Sequence, residues 1–598
     1  MQKIAVHNTA KTIAFNSSIY LNFSRKFDKA VAIIVLMTLF SNITMFAQDT
    51  NDLGTEVVTI VKPYTPSVSD AFKVKETPLL NDSISKIKNL SYRIFSVPVA
   101  STFTPVKGKA ATVENVKPPT LYNNYGTIGF GNYTNILAEL FSNFEISRTD
   151  NLSFFFKHNS SQGGIEGLLL DDAFYNTGLD VSYSSRQREA TYQLDAGIEH
   201  HLYNWYGLND NFQSLSSEQL SSIDSKQQYL SGYLGGQIQI ENSYFEKASA
   251  HIRYLGDYYS SSEFNISLKP EFLFPISDLS LKVDLDLDYL SGSFDRSYFL
   301  DTGLRYSFFN AGVIPSIGYT NNDLSLGLGA AIYMGVDTEN STTDFFVYPQ
   351  ISASYRLVDE LLIAYGGLEG GLSQNTYYGF IDENPFVSPT LNIAPTNKVY
   401  EGFAGVKGKL TNAMGYNLRA AYVNEKNKAL FQLNEYLGFQ ASSRGYEEGN
   451  SFRVVYDDIK TFSIFGEIEM EVSNAISVGS SGTFSSYSTV GQMEAWNLPT
   501  FEASLFSNFT ISEKLYGGVT VFFMGGRKDL FTGSNAVPLE IDLDAFVDAN
   551  VHFGYHLNNR LSFFVKGNNL FGDTYQKWVN YQVQGIQVLA GASYKFDW

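Results

Sequence analysis

Beyond Tyr122, apolar and polar residues alternate along most of the chain. Between Leu279 and Leu290 the sequence reads LSLKVDLDLDYL, with Lys282, Asp284, Asp286 and Asp288 at alternate positions and Leu281, Val283, Leu285, Leu287 and Tyr289 between them. Side chains of an extended strand point to opposite faces in turn, so the spacing predicts a strand with one charged and one apolar face. Carboxylates about 7 Å apart repel by well under ~1 kcal/mol per pair in water and by several times more at low dielectric, so the acidic face must be wet. FGEIEMEV repeats the design, with Glu467, Glu469 and Glu471 against Ile468, Met470 and Val472, and LGGQIQIE sets Gln237, Gln239 and Glu241 against Ile238 and Ile240. In IDLDAFVDANVHFGYHL, Ile541 to Leu557, one register is expected to run through the whole stretch, with Asp542, Asp544 and Asp548 on its polar side.

Strands of soluble proteins usually run about 5 to 6 residues, whereas membrane strands need about 9 to 11. About 22 to 24 alternating segments follow Tyr122, divided by turn clusters such as SRTDN, TNND and LNNR and by longer loops such as Asn209 to Lys226 and Asp382 to Lys398. The fold class expected is all-β: a transmembrane antiparallel barrel of about 22 strands over residues 123–598, preceded by a short extended segment. Leu285 and Leu287 then face lipid, while the acidic rows face a water-filled lumen. Pro270, Pro315 and Pro349 fall inside candidate strands, where proline is expected only at edges or bulges. The final segment, GIQVLAGASYKFDW, puts Val588, Ala590, Ala592, Tyr594, Phe596 and Trp598 on one face, as suits a strand that closes a barrel and leaves no edge in hydrocarbon.

Composition agrees. Aromatic residues make up 15% of the 598 residues and charged residues only 17%, below the roughly 25% of a soluble domain. A net charge of -19 argues against nucleic acid as a partner, and zero cysteines exclude disulfides, thiol nucleophiles and Cys-bound metals. Arg25, Lys26 and Lys29 precede the apolar run AVAIIVLMTLF, which is about half the ~20 residues of a spanning helix, so residues 1–47 read as an export signal with cleavage near Ala47. The segment 48–122 is proline-rich and basic: Glu56 to Tyr122 carries nine Lys or Arg against five acids, whereas the chain beyond Tyr122 carries -25. Its expected role is a partial plug in the lumen or a periplasmic tether.

The C-terminal sequence LSFFVKGNNLFGDTYQKWVNYQVQGIQVLAGASYKF resembles the terminal strands of TonB-dependent receptors, through Asn569, Leu570 and Phe571 at a turn, then Tyr575, Gly585 and a last strand ending Tyr594-x-Phe596. The resemblance implies a 22-strand outer-membrane barrel of a Gram-negative bacterium, of the Bacteroidota type in its aromatic-rich, cysteine-free style, which imports a ligand with an inner-membrane energy-coupling protein. A full plug domain does not fit between Gln48 and Tyr122. Glu56, Val57, Val58, Thr59 and Ile60 resemble the short box that meets the TonB-type protein.

Candidate ligand or plug contacts in the lumen are Asp284, Asp286, Asp288, Glu467, Glu469, Glu471, Asp542, Asp544 and Asp548. No metal site is expected: His200 and His201 point to opposite faces of a strand, and His552 and His556 lie about 13 Å apart on one. Neither a Gly-x-Ser-x-Gly elbow nor a Walker loop occurs, so no catalytic residue, enzyme activity or cofactor is expected. Expected partners are outer-membrane lipid, the barrel-assembly machinery during insertion, and either a TonB-type protein or an accessory lipoprotein. The alternative to transport is a non-transporting structural or accessory barrel within an outer-membrane complex.

Overall fold

The computed structural model describes residues 121–209, 216–241, 243–276, 279–436, 438, 443–533 and 537–597. The export signal, the Glu56 to Ile60 box, the basic segment up to residue 120 and Trp598 lie outside the described residues. The described chain forms one 22-stranded antiparallel sheet in which each strand pairs with its sequence neighbours in the sheet. The first strand, Asn124–Gly131, pairs with the last, Gln587–Phe596, from Asn124 opposite Phe596 to Gly131 opposite Leu589, so the sheet closes. Closure satisfies every edge, the condition for sheet in hydrocarbon.

Alternation sets the two faces. On the strand Leu279–Phe294, Tyr289 is exposed while Leu290 and Phe294 are buried; Asp284, Asp286 and Asp288 share the inner face with those two. Leu285 lies opposite Val313 and Leu287 opposite Ala311, on the outer face. The strand Phe452–Ser473 likewise turns Phe462, Ile464, Ile468, Met470 and Val472 outward, leaving Glu467, Glu469 and Glu471 on the inner side. A continuous outward band of this kind makes the chain an outer-membrane-type barrel.

A recurrent inner-face device braces three strands at once. Tyr333 lies across Gly312 on the next strand and donates to Asp286 Oδ2 on the one beyond, at 3.0 Å. Tyr233 crosses Gly197 to reach Asp180 at 2.6 Å, and Tyr306 crosses Gly292 to reach Glu263 at 2.8 Å. Each glycine is required because its missing side chain is where the ring lies: a Cβ at Gly312 would come within 2.5 Å of the Tyr333 ring. The prolines sit where a ladder skips a step. Pro270 faces a gap in pairing toward Leu279–Phe294, and Pro315 a gap toward Leu324–Asp337, as a residue without an N–H demands.

One expected strand divides. The alternation from Ile541 to Leu557 spans two elements: Pro538–Leu543 forms a separate hairpin with Arg527–Thr532, and only Phe546–His556 belongs to the barrel. Asp542 therefore lies opposite Lys528 outside the barrel sheet, and Asp544 lies in the connection. The pattern ran on because the hairpin is also extended and buries one side, with Leu543 in the core.

Connections near the chain ends, such as 187–189, 321–323 and 412–413, are short, while those at the opposite end include 205–225, 374–395, 434–451, 525–545 and 569–586. Short turns mark the periplasmic end of such barrels and long loops the outer end.

Candidate functional site: a loop cap across the outer mouth

Described residues of the loops 374–395, 525–545 and 569–586 turn inward. They fold together into an apolar cluster that contains Tyr229, Leu290, Phe294 and Tyr306 from one stretch of wall and Phe431, Phe452 and Val454 from another, with Tyr377, Phe380, Ile381 and Tyr581 between them. The loop 374–395 is the keystone. Thr376 caps its helix, Tyr377–Glu383, by accepting from Gly379 N at 2.9 Å, and Tyr377, Phe380 and Ile381 are buried on one side. Spacing of three and four residues puts these apolar groups on one helical face. Phe380 meets Phe431 edge-on at 5.7 Å, and farther along Phe386 stacks on Tyr581 at 3.8 Å. The Tyr581 hydroxyl donates to the Asn450 carbonyl, joining a third loop.

Three wall carboxylates hold the helix from below. Glu263, only 3% exposed, accepts from Tyr377 N at 2.6 Å, Tyr378 N at 3.0 Å and the Tyr306 hydroxyl at 2.8 Å. Burying a carboxylate without such donors costs several kcal/mol, so Glu263 and the first turn of the helix depend on each other. Asp257 accepts from the Tyr377 hydroxyl at 2.9 Å, and Glu199 from that of Tyr378 at 2.9 Å. Arg253 completes the latch: it pairs with Glu199 at 3.1 Å and lies 3.7 Å from the Tyr378 ring centroid, a desolvated cation–π contact. Burial pushes the Tyr378 hydroxyl up to about 12, so it remains a donor at any physiological pH.

A second set of polar contacts fixes the neighbouring loops. Asp529 is fully buried and accepts from Leu433 N at 3.0 Å and Asn497 Nδ2 at 2.8 Å, tying the hairpin Arg527–Thr532 to the rim; burial pushes its carboxyl up to about 6. Glu448, 2% exposed, is raised to about 7 by burial, with the adjacent Glu447 a lesser cause.

The inner-face carboxylates expected from sequence lie elsewhere, and those on Leu279–Phe294 are paired. Lys282 bonds Asp284 at 3.0 Å and Glu271 at 2.8 Å, Lys269 bonds Asp286 at 3.3 Å, and Asn265 donates to Asp288 at 3.3 Å. Glu467 and Glu469 line a hollow of about 420 Å³ with Lys407, Lys409 and Glu360 near the periplasmic rim. Asp548 accepts from the Tyr575 hydroxyl at 2.9 Å. The structure does not bring these rows together into one site. Glu199, Asp257 and Glu263, which do converge, stand in no acidic row, and the partner that defines Glu263 is 114 positions away, so no local pattern marked them.

No family model matches the chain, and no curated protein matches it. Solved structures do. The FrpB iron transporter from Neisseria meningitidis superposes with a TM-score of 0.61 at 10% identity, covering 80% of this chain and 82% of that one. The ferric enterobactin receptor PfeA from Pseudomonas aeruginosa gives 0.57 at 11% identity over 80% and 81%, and the ferric-catecholate import receptor Fiu from E. coli K12 gives 0.57 at 11% over 80% and 82%. The chain has the barrel fold of TonB-dependent outer-membrane receptors.

Proposed function

We propose that this barrel is a transporter-like outer-membrane protein that moves a ligand through its lumen when the loop 374–395 leaves its seat. The observation that supports it best is the latch: the loop is held to the wall by hydrogen bonds to Glu199, Asp257 and Glu263 rather than by any covalent tie, so it can be released and reseated. In this reading the inner-face carboxylates, Asp284 to Asp288 and Glu467 to Glu471, line the route and offer contacts to a passing ligand or to the basic segment 48–122. Glu56 to Ile60 would recruit a TonB-type protein, which supplies the work of opening. The apolar packing of the cap favours a second reading, an accessory barrel that stays shut and serves as a scaffold for an outer-membrane lipoprotein.

Single-channel recording in planar bilayers separates the two. Replacing Glu263 by Ala leaves Tyr377 N and Tyr378 N without their acceptor and loosens the loop, so the transporter reading expects brief openings of increased conductance. Conductance equal to that of the unchanged protein, together with a stoichiometric co-purified lipoprotein, would support the scaffold and overturn transport.

A further inference from the structure

Between the cap and the wall lies a cavity of about 340 Å³ that the latch does not use. Its wall comes from the outer ends of three consecutive strands, Leu304–Thr320, Leu324–Asp337 and Thr342–Val358, and its lid from residues 392–395 of the inward loop. Asn310, 4% exposed, lines it with a side-chain oxygen that has no partner among the described residues. The orientation of that amide is determined. Gln374 Nε2 donates to the Asn375 carbonyl at 2.9 Å, which can only accept; Gln374 Oε1 is thereby turned toward Asn310 and takes its Nδ2 at 2.8 Å. Flipping Asn310 would set two oxygens against each other, so Oδ1 must point away from Gln374, toward the narrow slot over Gly335. A Cβ at Gly335 would lie 3.3 Å from Asn310 Oδ1 and 3.4 Å from both Leu372 and Phe346, the side chains that flank this space.

The surroundings are rich in acceptors. Glu339 and Asp344 stand at the rim against one guanidinium, that of Arg305, and Asp337 beside them is held by Asn340 N at 3.0 Å and Asn340 Nδ2 at 2.7 Å, while Phe308, Phe346, Leu372 and Ile393 supply an apolar floor. A buried unpaired acceptor is destabilising, and a ligand's N–H would relieve it. We infer that this cavity binds a small organic cation, an ammonium or guanidinium group carried on an apolar body, with the N–H donors directed to Asn310 Oδ1 and the rim carboxylates and the body parting Phe346 from Leu372. Volumes of this order hold fragment-sized ligands. The inference gives the transport reading its ligand class and rests on that reading for passage of the bound cation, but binding itself is measured without transport, so the two can fail separately.

The test is calorimetric titration of the full chain in detergent with phenethylamine, against phenylacetate as the anion of like size. Saturable binding of phenethylamine, at least tenfold tighter than phenylacetate, is the expected result. Gly335→Ala removes no polar group but fills the space before Oδ1, and should weaken phenethylamine at least tenfold; Glu339→Gln combined with Asp344→Asn should narrow the preference over phenylacetate. Both variants must keep the heat-modifiable mobility of a closed barrel, and Asn310→Leu, which removes the acceptor, should also weaken phenethylamine at least tenfold and serves if either of them misfolds. Equal binding of the two probes, no binding of phenethylamine, or binding unchanged in Gly335→Ala or in a folded Asn310→Leu overturns the inference.

Discussion

At the scale of single residues, the cap is built from carboxylates placed where water does not reach, and this makes it sensitive to acid in a defined direction. Asp529 and Glu448 have seated-state values of about 6 and about 7, both above that of an exposed carboxyl, so each binds more protons when its loop is docked than when it is free. Docking is therefore favoured as pH falls through those values, with the gain complete near pH ~4, and the full penalty is present only above pH ~8. For Asp529 a shift of about two units corresponds to about 3 kcal/mol at most. Hydrogen exchange of the loops 434–451 and 525–545, corrected for intrinsic rates, should slow between pH 8 and pH 5. Asp529→Asn, which cannot ionise, should abolish the share of that change in 525–545, and faster corrected exchange at pH 5 would contradict the assignment.

At the scale of strands, the tyrosine that lies across a glycine to an acid two strands away couples the register of three neighbours. Gly312→Val places a branched side chain where the Tyr333 ring lies, so it should reduce assembled barrel in the membrane more than Ser316→Val on the same strand, read by heat-modifiable mobility. Leu285→Arg puts a charge on the lipid face at about 2 to 4 kcal/mol near the midplane and should lower membrane yield, whereas Asp286→Asn, which can still accept from Tyr333, should be tolerated. Strand faces were legible in the sequence because a period of two is local: Asp286 and Leu287 declare their sides without reference to anything distant. The division near Asp544 was not, since alternation reports one-sided burial of extended chain and cannot say which sheet a segment joins. Nor could it show that Lys269 and Lys282 neutralise the acidic row, because Lys269 arrives from a neighbouring strand whose register is fixed only by pairing.

At the scale of the molecule, closure and capping are separate achievements. Deleting residues 594–598 removes the partners of Asn124, Tyr125 and Gly126 and of Leu561, leaving both neighbouring strands unpaired at their periplasmic ends. The truncated chain should accumulate in the periplasm, and normal outer-membrane levels would contradict a role for these residues in closure. The near-22 strand count could be anticipated by counting segments, whereas the cap could not, as its members Trp205, Phe386, Asn450 and Tyr581 are joined by contacts that span 131 to 245 positions.

Those separations bear on the order of events during biogenesis. Neighbouring strands meet soon after synthesis, but Tyr581 must wait for nearly the whole chain before it can stack on Phe386 and reach Asn450, and contacts of long sequence separation form slowly. The seam between Asn124 and Phe596 spans 472 positions, farther than any of these cap contacts, so the stretch from 569 to 596 completes the sheet and the seal together. Chains cut before residue 569 should therefore yield no closed barrel in the outer membrane, and a heat-modifiable band from such a chain would contradict this order.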